Sequence, residues 1–454
     1  MARHPNRREF LQTTAAVAGV GYFSSVAVSQ DSKSPNERIR FGCVGVTGKG
    51  QSDSANMGRN GDVVAICDID DGKLNAGQKR FPKARTYIDY RKLFDEAGKD
   101  IDAVTVSTPD HMHAVITAMA MKMGKHVYCQ KPLCHDISEA RRIGEIAREM
   151  KVATQMGNQG TNEPGLRKAA ALLRGGLLGA VSHVHVWSNR PIWDQGKPRP
   201  ESKPVPPGVH WDLWIGTAPY RPYANGYHDF AWRGWWDFGT GALGDMACHT
   251  VNMPYMGLEL RDPTSVQAVS SGHNGDSYPK QSKIDFEFPA NDWRGALKFT
   301  WYDGGNMPAR ESMPEKFLRK NRETGALEMY ASGCMIVGEK GKLFSPDDYA
   351  ARYVLDGVEE PKDVEFDKSP GGEGGHVKEW ITAIQGGKPA KSNFPDYAGP
   401  LTETILLGNL AVYAAKEAGV PGKKVEWNAK EMKATNAPEL AHIVKREYRA
   451  GYTL

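Results

Sequence analysis

The amino-acid sequence predicts an α/β fold in which a parallel sheet with helices on both faces is followed by a second domain rich in strands. Two observations indicate the first domain. Between residue 39 and about residue 159, short apolar runs alternate with segments of helical periodicity, and each apolar run is short enough for a buried strand. Such alternation favours a parallel sheet joined by right-handed crossovers. Beyond Gly160 the alternation takes the period of strands, which indicates the second domain.

The first domain contains five apolar runs that are strand candidates: IRFGCVGV, DVVAICDID, IDAVTVSTP, HVYCQKP and VATQMGNQ. Helical periodicity separates the last three runs, in HMHAVITAMAMKMGK and DISEARRIGEIAREMK. In the second of these helices, Asp136 and Glu139 have the spacing of a capping box. Since open parallel sheets bind ligands at the carboxyl ends of their strands, we expect a site at that edge.

The second domain contains four strand-like stretches: VSHVHVWSN, KIDFEFP, GALKFTWYD and MIVGEKGKLF. A proline-rich stretch from Pro191 to Pro222 interrupts it and is predicted to be a long ordered loop. Seven of the 11 tryptophans lie between Trp187 and Trp236. They suggest flat surfaces for sugar rings, with packing inside the loop as the alternative. The segment LTETILLGNLAVYAAKEAG, after Pro400, predicts a helix that closes the core.

The N-terminus has the pattern of an export signal. Arg7 and Arg8 precede the apolar run from Ala15 to Val28, and SVA offers a small-residue cleavage site. The order Arg-Arg-x-Phe-Leu resembles a twin-arginine signal. We therefore expect export through the twin-arginine route to the periplasm or another extracytoplasmic space, with a buried N-terminal helix as the alternative.

Composition excludes several classes of protein. The formal net charge is +4 over 454 residues, which gives no nucleic-acid footprint. We expect no membrane span in the mature protein, because no other stretch is long and apolar enough. The six cysteines are scattered, and Cys43, Cys67 and Cys129 fall inside apolar runs. This predicts buried thiols rather than a disulfide framework.

A glycine-rich turn follows the first strand candidate. Gly45, Gly48 and Gly50 stand where backbone N–H groups and a helix N-terminus would face a pyrophosphate, although Thr47 occupies the position of the second fingerprint glycine. Asp68 ends the second strand about twenty residues downstream, where a carboxylate would bind the ribose hydroxyls of a dinucleotide. The pattern favours NAD over NADP, and Lys73 is the reason to keep NADP as the alternative.

These residues, with three further motifs, resemble the Gfo/Idh/MocA oxidoreductases, the family of glucose–fructose oxidoreductase and inositol dehydrogenase. The motifs are STPDHMH at 107–113, CQKPL at 129–133 and GTGALGDMACH at 239–249. The resemblance covers nearly the whole mature chain. It implies an N-terminal Rossmann domain and a C-terminal α+β domain with a large, mostly antiparallel sheet that commonly pairs subunits. The family usually has Glu-Lys-Pro where this chain has Gln130-Lys131-Pro132, which leaves the tuning of Lys131 open.

The resemblance implies a catalytic trio of Lys131, Asp245 and His249. Removing hydride from an alcohol needs a proton acceptor and a group that stabilises charge on the oxygen. By resemblance, His249 takes and returns the proton, Lys131 polarises the oxygen, and Asp245 holds the substrate or orients the histidine. Asp245 and His249 are four residues apart and share a helix face, so a merely structural Asp–His pair is the alternative.

The remaining predicted site residues divide into two sets. We expect the cofactor to be bound by Gly45, Thr47, Gly48, Lys49, Gly50, Asp68, Ser107, Thr108, Pro109, His113, Gln130 and Lys131. We expect the substrate to be bound by Asn158, His228, Arg233, Trp236, Asp245 and His249. The histidine pairs His111/His113 and His183/His185 lack a convincing third ligand, so no metal is expected.

The predicted organisation is a signal at 1–30, a dinucleotide-binding domain at 36–160, and a substrate-binding and oligomerisation domain at 161–454. The predicted function is NAD(P)-dependent oxidation of a hydroxyl on a sugar, cyclitol or glycoside, with tightly bound cofactor in a redox-neutral cycle. The alternatives are an NAD-dependent glycosidase working by transient oxidation and elimination, a simple dehydrogenase, and a non-catalytic sugar-binding module. A homo-oligomer, dimer or tetramer, is expected.

Overall fold

The computed structural model describes residues 38–454, and the predicted signal segment lies outside these described residues. The first part of the described chain forms a six-stranded parallel sheet with the order β3-β2-β1-β4-β5-β6. Its strands are β1 Ile39–Val44, β2 Gly61–Cys67, β3 Arg85–Tyr87, β4 Ala103–Val106, β5 His126–Cys129 and β6 Thr154–Met156. Five of them confirm the predicted runs, and β3 was not predicted because its three residues carry too short a pattern.

Helices connect these strands. They are α1 Lys49–Asn60, α2 Asp71–Arg80, α3 Tyr90–Ala97, α4 Asp110–Lys122 and α5 Ile137–Met150. The predicted capping box of α5 is confirmed. The side chain of Asp136 accepts a hydrogen bond from the backbone N–H of Glu139, and the side chain of Glu139 accepts one from the backbone N–H of Asp136. The strand order reverses between β1 and β4, so the loops after these two strands diverge and leave a crevice at the carboxyl edge of the sheet.

The second part of the described chain forms a nine-stranded sheet with the order β15-β14-β13-β7-β10-β9-β8-β16-β17. Its neighbours are antiparallel except for the parallel pair of β7 and β10, as the family resemblance implied. The strands, together with the separate hairpin β11–β12, are β7 Val181–Trp187, β8 Ser265–Ser270, β9 Ser282–Phe288, β10 Leu297–Asp303, β11 Arg319–Lys320, β12 Leu327–Glu328, β13 Gly333–Gly338, β14 Lys342–Ser345, β15 Val354–Asp356, β16 Val425–Asn428 and β17 Lys433–Ala434.

The helices of this part are α6 Pro164–Arg174, α7 Trp211–Ile215, α8 Gly241–Thr250, α9 Asn252–Leu258, α10 Gly372–Ile384, α11 Gly399–Ala414 and α12 Ala441–Val444. Single 3-10 turns lie at Gly98–Asp100, Gln159–Asn162, Ala231–Gly234, Arg310–Ser312, Glu315–Phe317 and Pro438–Leu440, and a π turn lies at Phe394–Ala398. Among residues 38–454, no helix has both the length and the apolar character needed to cross a membrane.

Helix α11 is the predicted closing helix, and it joins the two parts of the fold. It packs against α5 of the first part and against α8 and β8 of the second. The contact with α8 is so close that a Cβ on Gly408 would lie 2.5 Å from Leu243. Every residue of α8 is buried. Helix α8 is therefore held rigidly beside the crevice of the parallel sheet.

All six cysteines are buried and free, so the prediction of buried thiols is confirmed. Burial raises the pKa of Cys43 to about 12. A thiol with so high a pKa is protonated at neutral pH and is neither a nucleophile nor a metal ligand.

Candidate active site

A cleft of about 740 Å³ opens at the carboxyl edge of the parallel sheet. Its floor consists of the loops that follow β1, β2, β3, β4 and β5. Helix α8 and the segment 188–239, which we call the excursion, form the opposite wall. Ligand sites of open α/β sheets lie at this position, so the cleft is where the fold predicts one.

The turn after β1 has a backbone that only glycine can supply at two positions. Gly45 has φ of +80°, and a Cβ there would lie 2.5 Å from the carbonyl oxygen of Ser107. A Cβ on Gly50, in the first turn of α1, would lie 2.1 Å from the carbonyl oxygen of Gly45. Gly48 has nothing within 4 Å of its Cβ position. The turn is thus pressed against the sheet and leaves free space on its cleft side, before the N-terminus of α1.

Asp68 follows β2 and lines the same cleft. Its Oδ2 accepts a hydrogen bond from the backbone N–H of Val46 at 3.1 Å, and its Oδ1 accepts one from Asp70 at 3.3 Å. Burial raises the pKa of the Asp68 carboxyl, and these hydrogen bonds act against that rise. They also fix the carboxylate beside the glycine turn.

These features fit a dinucleotide. The free space at Gly48, the helix N-terminus behind it and the fixed carboxylate of Asp68 match the requirements of a pyrophosphate and an adenosine ribose. Ser107, Thr108 and Pro109 follow β4, line the cleft and continue its floor towards α8. Gly45, Thr47, Gly48 and Lys49 line it at the other end.

The excursion is fastened to the loop between β2 and α2. The backbone N–H of Asp71 donates to Gly208 at 2.9 Å, and that of His210 donates to Ile69 at 2.9 Å. Lys73 pairs with Asp229 at 3.0 Å. The polypeptide therefore crosses over the end of the cleft at which an adenosine would lie.

His228, a predicted substrate residue, is placed at this same end. Its Nε2 lies 3.3 Å from Lys73 Nζ and 3.6 Å from Asp70. Burial and the Lys73 charge lower the pKa of His228, so a neutral imidazole faces the lysine.

Gln130, which stands where the family usually has glutamate, donates a hydrogen bond to a buried carboxylate. Its Nε2 donates to Asp53 Oδ2 at 2.9 Å, and Ser107 Oγ donates to the same oxygen at 2.7 Å. Lys49 pairs with the other oxygen of Asp53 at 3.2 Å. The carboxylate of this buried network belongs to Asp53 in α1, and residue 130 supplies a donor to it.

Lys131, the residue that follows Gln130, reaches helix α8. Its Nζ donates to Oδ1 of Asp245 at 2.6 Å and to the backbone oxygen of Asp245 at 2.7 Å. An ammonium group has three protons, so one remains for a ligand in the cleft. Lys131 and Asp245 both line the cleft.

Two arginines approach the same carboxylate from the excursion. Arg233 Nε lies 3.2 Å from Asp245 Oδ1, and Arg190 Nε lies 3.6 Å from Oδ2. Burial alone would raise the pKa of Asp245, but the charges of Lys131 and Arg233 outweigh it and hold the pKa well below its ordinary value. Asp245 is therefore a carboxylate at neutral pH.

His249 lies one turn beyond Asp245 on α8 and lines the cleft. Burial and the Lys131 charge lower the pKa of His249 well below its ordinary value, so the imidazole is neutral. Its Nδ1 is buried without a hydrogen-bond partner among residues 38–454. Its ring packs edge-on against Tyr349, with 4.8 Å between the ring centres. A neutral imidazole beside a lysine ammonium can accept a proton.

The structure places four predicted site residues away from the lining of the cleft. Gly50 is enclosed by the turn, and Asn158 is fully buried, where it hydrogen-bonds Ser392. Trp236 stacks on Tyr278 with 3.6 Å between the ring centres and belongs to the core. The fourth residue is His113.

His113 joins two loops beneath the cleft. Its Nδ1 lies 2.7 Å from the carbonyl oxygen of Pro132, and its Nε2 lies 2.7 Å from that of Thr108. Burial would lower the pKa of His113, but Cys129, Asp110 and the Pro132 carbonyl raise it to about 9. An imidazolium donates to both carbonyls, so His113 holds the loop that carries Lys131 against the loop after β4.

Most tryptophans of the excursion pack on one another. Trp211 and Trp214 stack with 4.7 Å between ring centres, and Tyr227 and Trp235 join the same cluster. Trp193, Trp214 and Trp232 reach the cleft lining.

Sequence reasoning did not single out several further residues of the cleft. They are Arg190, Ile192, Phe230, Asp348 and Tyr349. No motif marks them, because they come from loops that only the fold brings to α8. The available signal was the RPIW segment at 190–193 and the DFAWR segment at 229–233, in each of which an arginine stands near an aromatic residue.

Within residues 38–454, no cluster of three or more His, Cys, Asp or Glu side chains could hold a metal ion. His183 and His185 instead stack on each other with 3.8 Å between ring centres, on the nine-stranded sheet.

Two family models match the chain. Residues 39–158 match the model described as the GFO/IDH/MocA oxidoreductase family, NAD-binding Rossmann fold. Residues 166–290 match the model of the C-terminal alpha/beta domain of the same family. The two matches cover the floor of the cleft, the excursion and α8.

Individual relatives are more distant. Inositol 2-dehydrogenase of Salmonella typhimurium is 28% identical over 126 residues, which are 27% of this chain and 37% of the relative. A glycosyl hydrolase family 109 protein of Solibacter usitatus is 29% identical over 199 residues, 39% of this chain and 44% of the relative. The matched segments thus span less than half of each relative's length.

Solved structures share the fold. The WlbA dehydrogenase of Bordetella pertussis, solved with NADH and UDP-GlcNAcA, superposes with a TM-score of 0.58 at 18% identity. The superposition covers 85% of this chain and 98% of WlbA.

Proposed function

Because this chain belongs to the Gfo/Idh/MocA oxidoreductase family, we propose that it oxidises a hydroxyl of a sugar, cyclitol or glycoside with a tightly held NAD. The observation that carries the proposal is the convergence of Lys131, Asp245 and neutral His249 beside an NAD-binding Rossmann domain. A non-catalytic sugar-binding module would not need this trio.

NAD, when bound, supplies the acceptor for the hydride that leaves the carbinol carbon. The side chains handle the proton and the charge. His249 accepts the hydroxyl proton, since its lowered pKa keeps the imidazole neutral. The third N–H group of Lys131 donates a hydrogen bond to the substrate oxygen and stabilises the negative charge that develops there. Asp245 fixes the lysine by accepting two hydrogen bonds from Lys131 Nζ, one at its carboxylate and one at its backbone oxygen.

The cofactor would be held by residues on both sides of the cleft. Gly45, Thr47 and Gly48 would contact the pyrophosphate, and Asp68 would bind the adenosine ribose. A carboxylate at this position repels a 2′-phosphate, which supports NAD over NADP. Lys73 is paired with Asp229 and is not free to attract that phosphate.

The crossing of the excursion supports slow cofactor release. The adenosine end cannot leave the cleft without parting the contacts of Asp71, His210 and Lys73 with the excursion. A cofactor that stays bound must be reoxidised in place. We therefore favour a redox-neutral cycle, in which the hydride returns to a second sugar or to the same one.

An elimination between oxidation and hydride return would cleave a glycoside, and this is our second candidate. The similarity to the glycosyl hydrolase family 109 protein supports it.

Export through the twin-arginine route is part of the proposal. That route carries folded proteins, so NAD would be loaded in the cytoplasm and retained in the periplasm. Arg7 and Arg8 ahead of the apolar run support this localisation. We also propose a homo-oligomer, supported by the large sheet of the second part.

One experiment tests the proposal directly. Full-length protein is expressed, purified without added cofactor and denatured, and the released dinucleotide is quantified. The native protein is then given sugars, cyclitols and aryl glycosides with no cofactor added. We expect near-stoichiometric NAD(H) and turnover of at least one compound. Protein that is empty and needs a continuous supply of NAD would leave a plain dehydrogenase.

A further inference from the structure

Positive charge accumulates where the substrate would bind. Lys131, Arg190 and Arg233 surround the single carboxylate of Asp245, at 2.6, 3.6 and 3.2 Å. The only other acid near Arg190 in this part of the lining is Asp348, and burial raises the pKa of its carboxyl. Within the described part of the chain, the end of the cleft beside α8 therefore carries at least one positive charge that no carboxylate balances.

The remaining charges of the cleft are balanced elsewhere. Lys73 pairs with Asp229, and Lys49 pairs with Asp53 and Glu373. Asp110, which is buried near Arg233, lies beside the His113 imidazolium. The excess is thus confined to the substrate end and does not extend to the dinucleotide end.

The guanidinium groups have unused donors. Arg233 donates from Nε to Asp245, and Arg190 donates from Nη1 to Asn189. Among the contacts formed within residues 38–454, both terminal nitrogens of Arg233 and Nη2 of Arg190 have no acceptor. The side chains are 24% and 23% exposed, so these donors are open to the cleft. A charge-assisted hydrogen bond to an anion is stronger than one to a neutral acceptor, which makes an oxyanion a favourable ligand.

The surroundings indicate the shape of that oxyanion. The guanidinium carbon of Arg233 lies 4.1 Å from the ring centre of Trp232. The nitrogens of a guanidinium lie in one plane, an arrangement that matches a planar carboxylate. The ring of Phe230 and the side chain of Ile192 line the same wall and are 52% and 62% exposed. They suit the carbon skeleton of a sugar ring.

The anion must lie close to the reacting hydroxyl. Arg233 Nε and Lys131 Nζ contact the same oxygen of Asp245. A group bound to Arg233 hence lies close enough to an oxygen bound to Lys131 for both to belong to the same sugar unit. A diphosphate at the far end of a nucleotide-linked sugar would not reach both.

We infer that the substrate is an acidic sugar, with a carboxylate on the same unit whose hydroxyl is oxidised, bound by Arg190 and Arg233. The inference rests on the proposed function and specifies its substrate class. It gives Arg190 a role in selecting the acid over the corresponding neutral sugar.

The test uses the purified protein with its bound cofactor and sets of matched compounds. Each set holds a hexuronate, its uronamide, the neutral hexose and the hexose 6-phosphate, in the gluco, galacto and manno series. Dissociation constants are measured by calorimetry, and reduction of the bound cofactor is followed by absorbance. We expect at least one uronate to bind about ten- to a hundredfold more tightly than its uronamide, because charge-assisted hydrogen bonds are lost in the amide.

Two variants accompany the wild type. In Arg190→Gln the ratio of uronamide to uronate dissociation constants should fall about tenfold. Arg199→Gln is the matched control, since Arg199 lies in the excursion, pairs with Asp276 and is 55% exposed. Its ratio should equal that of the wild type. The wild-type ratio decides the question even if a variant fails to fold.

The outcomes separate this inference from the proposed function. Uronamides or hexoses that bind as tightly as every uronate would overturn the acidic substrate, and so would tighter binding of a 6-phosphate. Oxidation of a neutral sugar in that case would leave the proposed function standing. Preferential binding of a uronate with neither cofactor reduction nor turnover of the uronate would uphold the inference and contradict the proposed oxidation.

Discussion

Gln130 donates a hydrogen bond from Nε2 to Oδ2 of Asp53 over 2.9 Å. The two residues are 77 positions apart, and both are almost completely buried. In this buried pair Asp53, which lies in α1, supplies the carboxylate, and Gln130 supplies the donor. A glutamate at position 130 would face that carboxylate without a donor between them.

Gln130→Glu should therefore destabilise the protein. Two buried carboxylates in contact force one of them to take a proton, at a cost of about 1–3 kcal/mol in the free energy of unfolding. Urea denaturation of the holoprotein measures this change. The double variant Gln130→Glu/Asp53→Asn exchanges the two chemical groups and should recover at least half of the loss. A double variant less stable than Gln130→Glu would show that the two side chains are not coupled.

Replacing either member of the Lys131/His249 pair should abolish turnover. In Lys131→Met the substrate oxygen loses its donor, and in His249→Ala it loses its proton acceptor. We expect each variant to lower kcat/KM at least about a thousandfold while retaining bound NAD. Lys122→Met, at the exposed end of α4, is the control and should keep normal turnover. Near-normal turnover by either active-site variant would refute the assignment.

Asp68 should set the preference for NAD. Asp68→Ala removes the carboxylate that binds the ribose hydroxyls, so we expect NAD affinity to fall about tenfold and discrimination against NADP to weaken. Refolding protein stripped of cofactor in the presence of each dinucleotide, followed by titration, measures both constants. A wild-type protein that already prefers NADP would contradict this role.

The ion pair between Lys73 and Asp229 should slow release of the cofactor. The pair links α2 to the excursion at 3.0 Å, and Asp229 is 59% exposed, so its contribution is modest. Asp229→Ala should speed dissociation of NAD about two- to fivefold, as measured by exchange against labelled NAD. Asp194→Ala removes a similarly exposed pair with Lys197 in the excursion and should have no effect. Equal rates in the two variants would exclude a contribution from the crossing.

The pH profile should report the environment of His249. Burial and the nearby Lys131 charge lower its pKa well below the ordinary value of 6.5, so the neutral base persists as the pH falls. The acid limb of kcat/KM, which reflects the free holoprotein, should consequently lie below 6.5. In Lys131→Met the limb, where residual turnover permits its measurement, should move to higher pH. A wild-type limb at or above 6.5 would contradict a neutral, buried His249.

The sequence by itself determined the features that depend on local pattern. Strand and helix periods, the glycine turn, Asp68 at a strand end and the four-residue spacing of Asp245 and His249 are all set by neighbours in the chain. These patterns predicted the Rossmann domain, the strand-rich second part and fourteen of the residues that line the cleft. The short strand β3 was not predicted, because three residues are too few to show a strand period.

Only the tertiary structure decided which distant groups meet. Arg190 comes from an irregular loop with no motif, yet the fold brings it to Asp245 beside Lys131 and Arg233. Trp236 and Asn158 have side chains that could bind a sugar, but close packing buries both of them in the core. Spacing along a chain fixes contacts within a helix or strand, whereas contacts between loops depend on how whole elements pack. The charge of the substrate end, and hence the acid it favours, is a property of that packing.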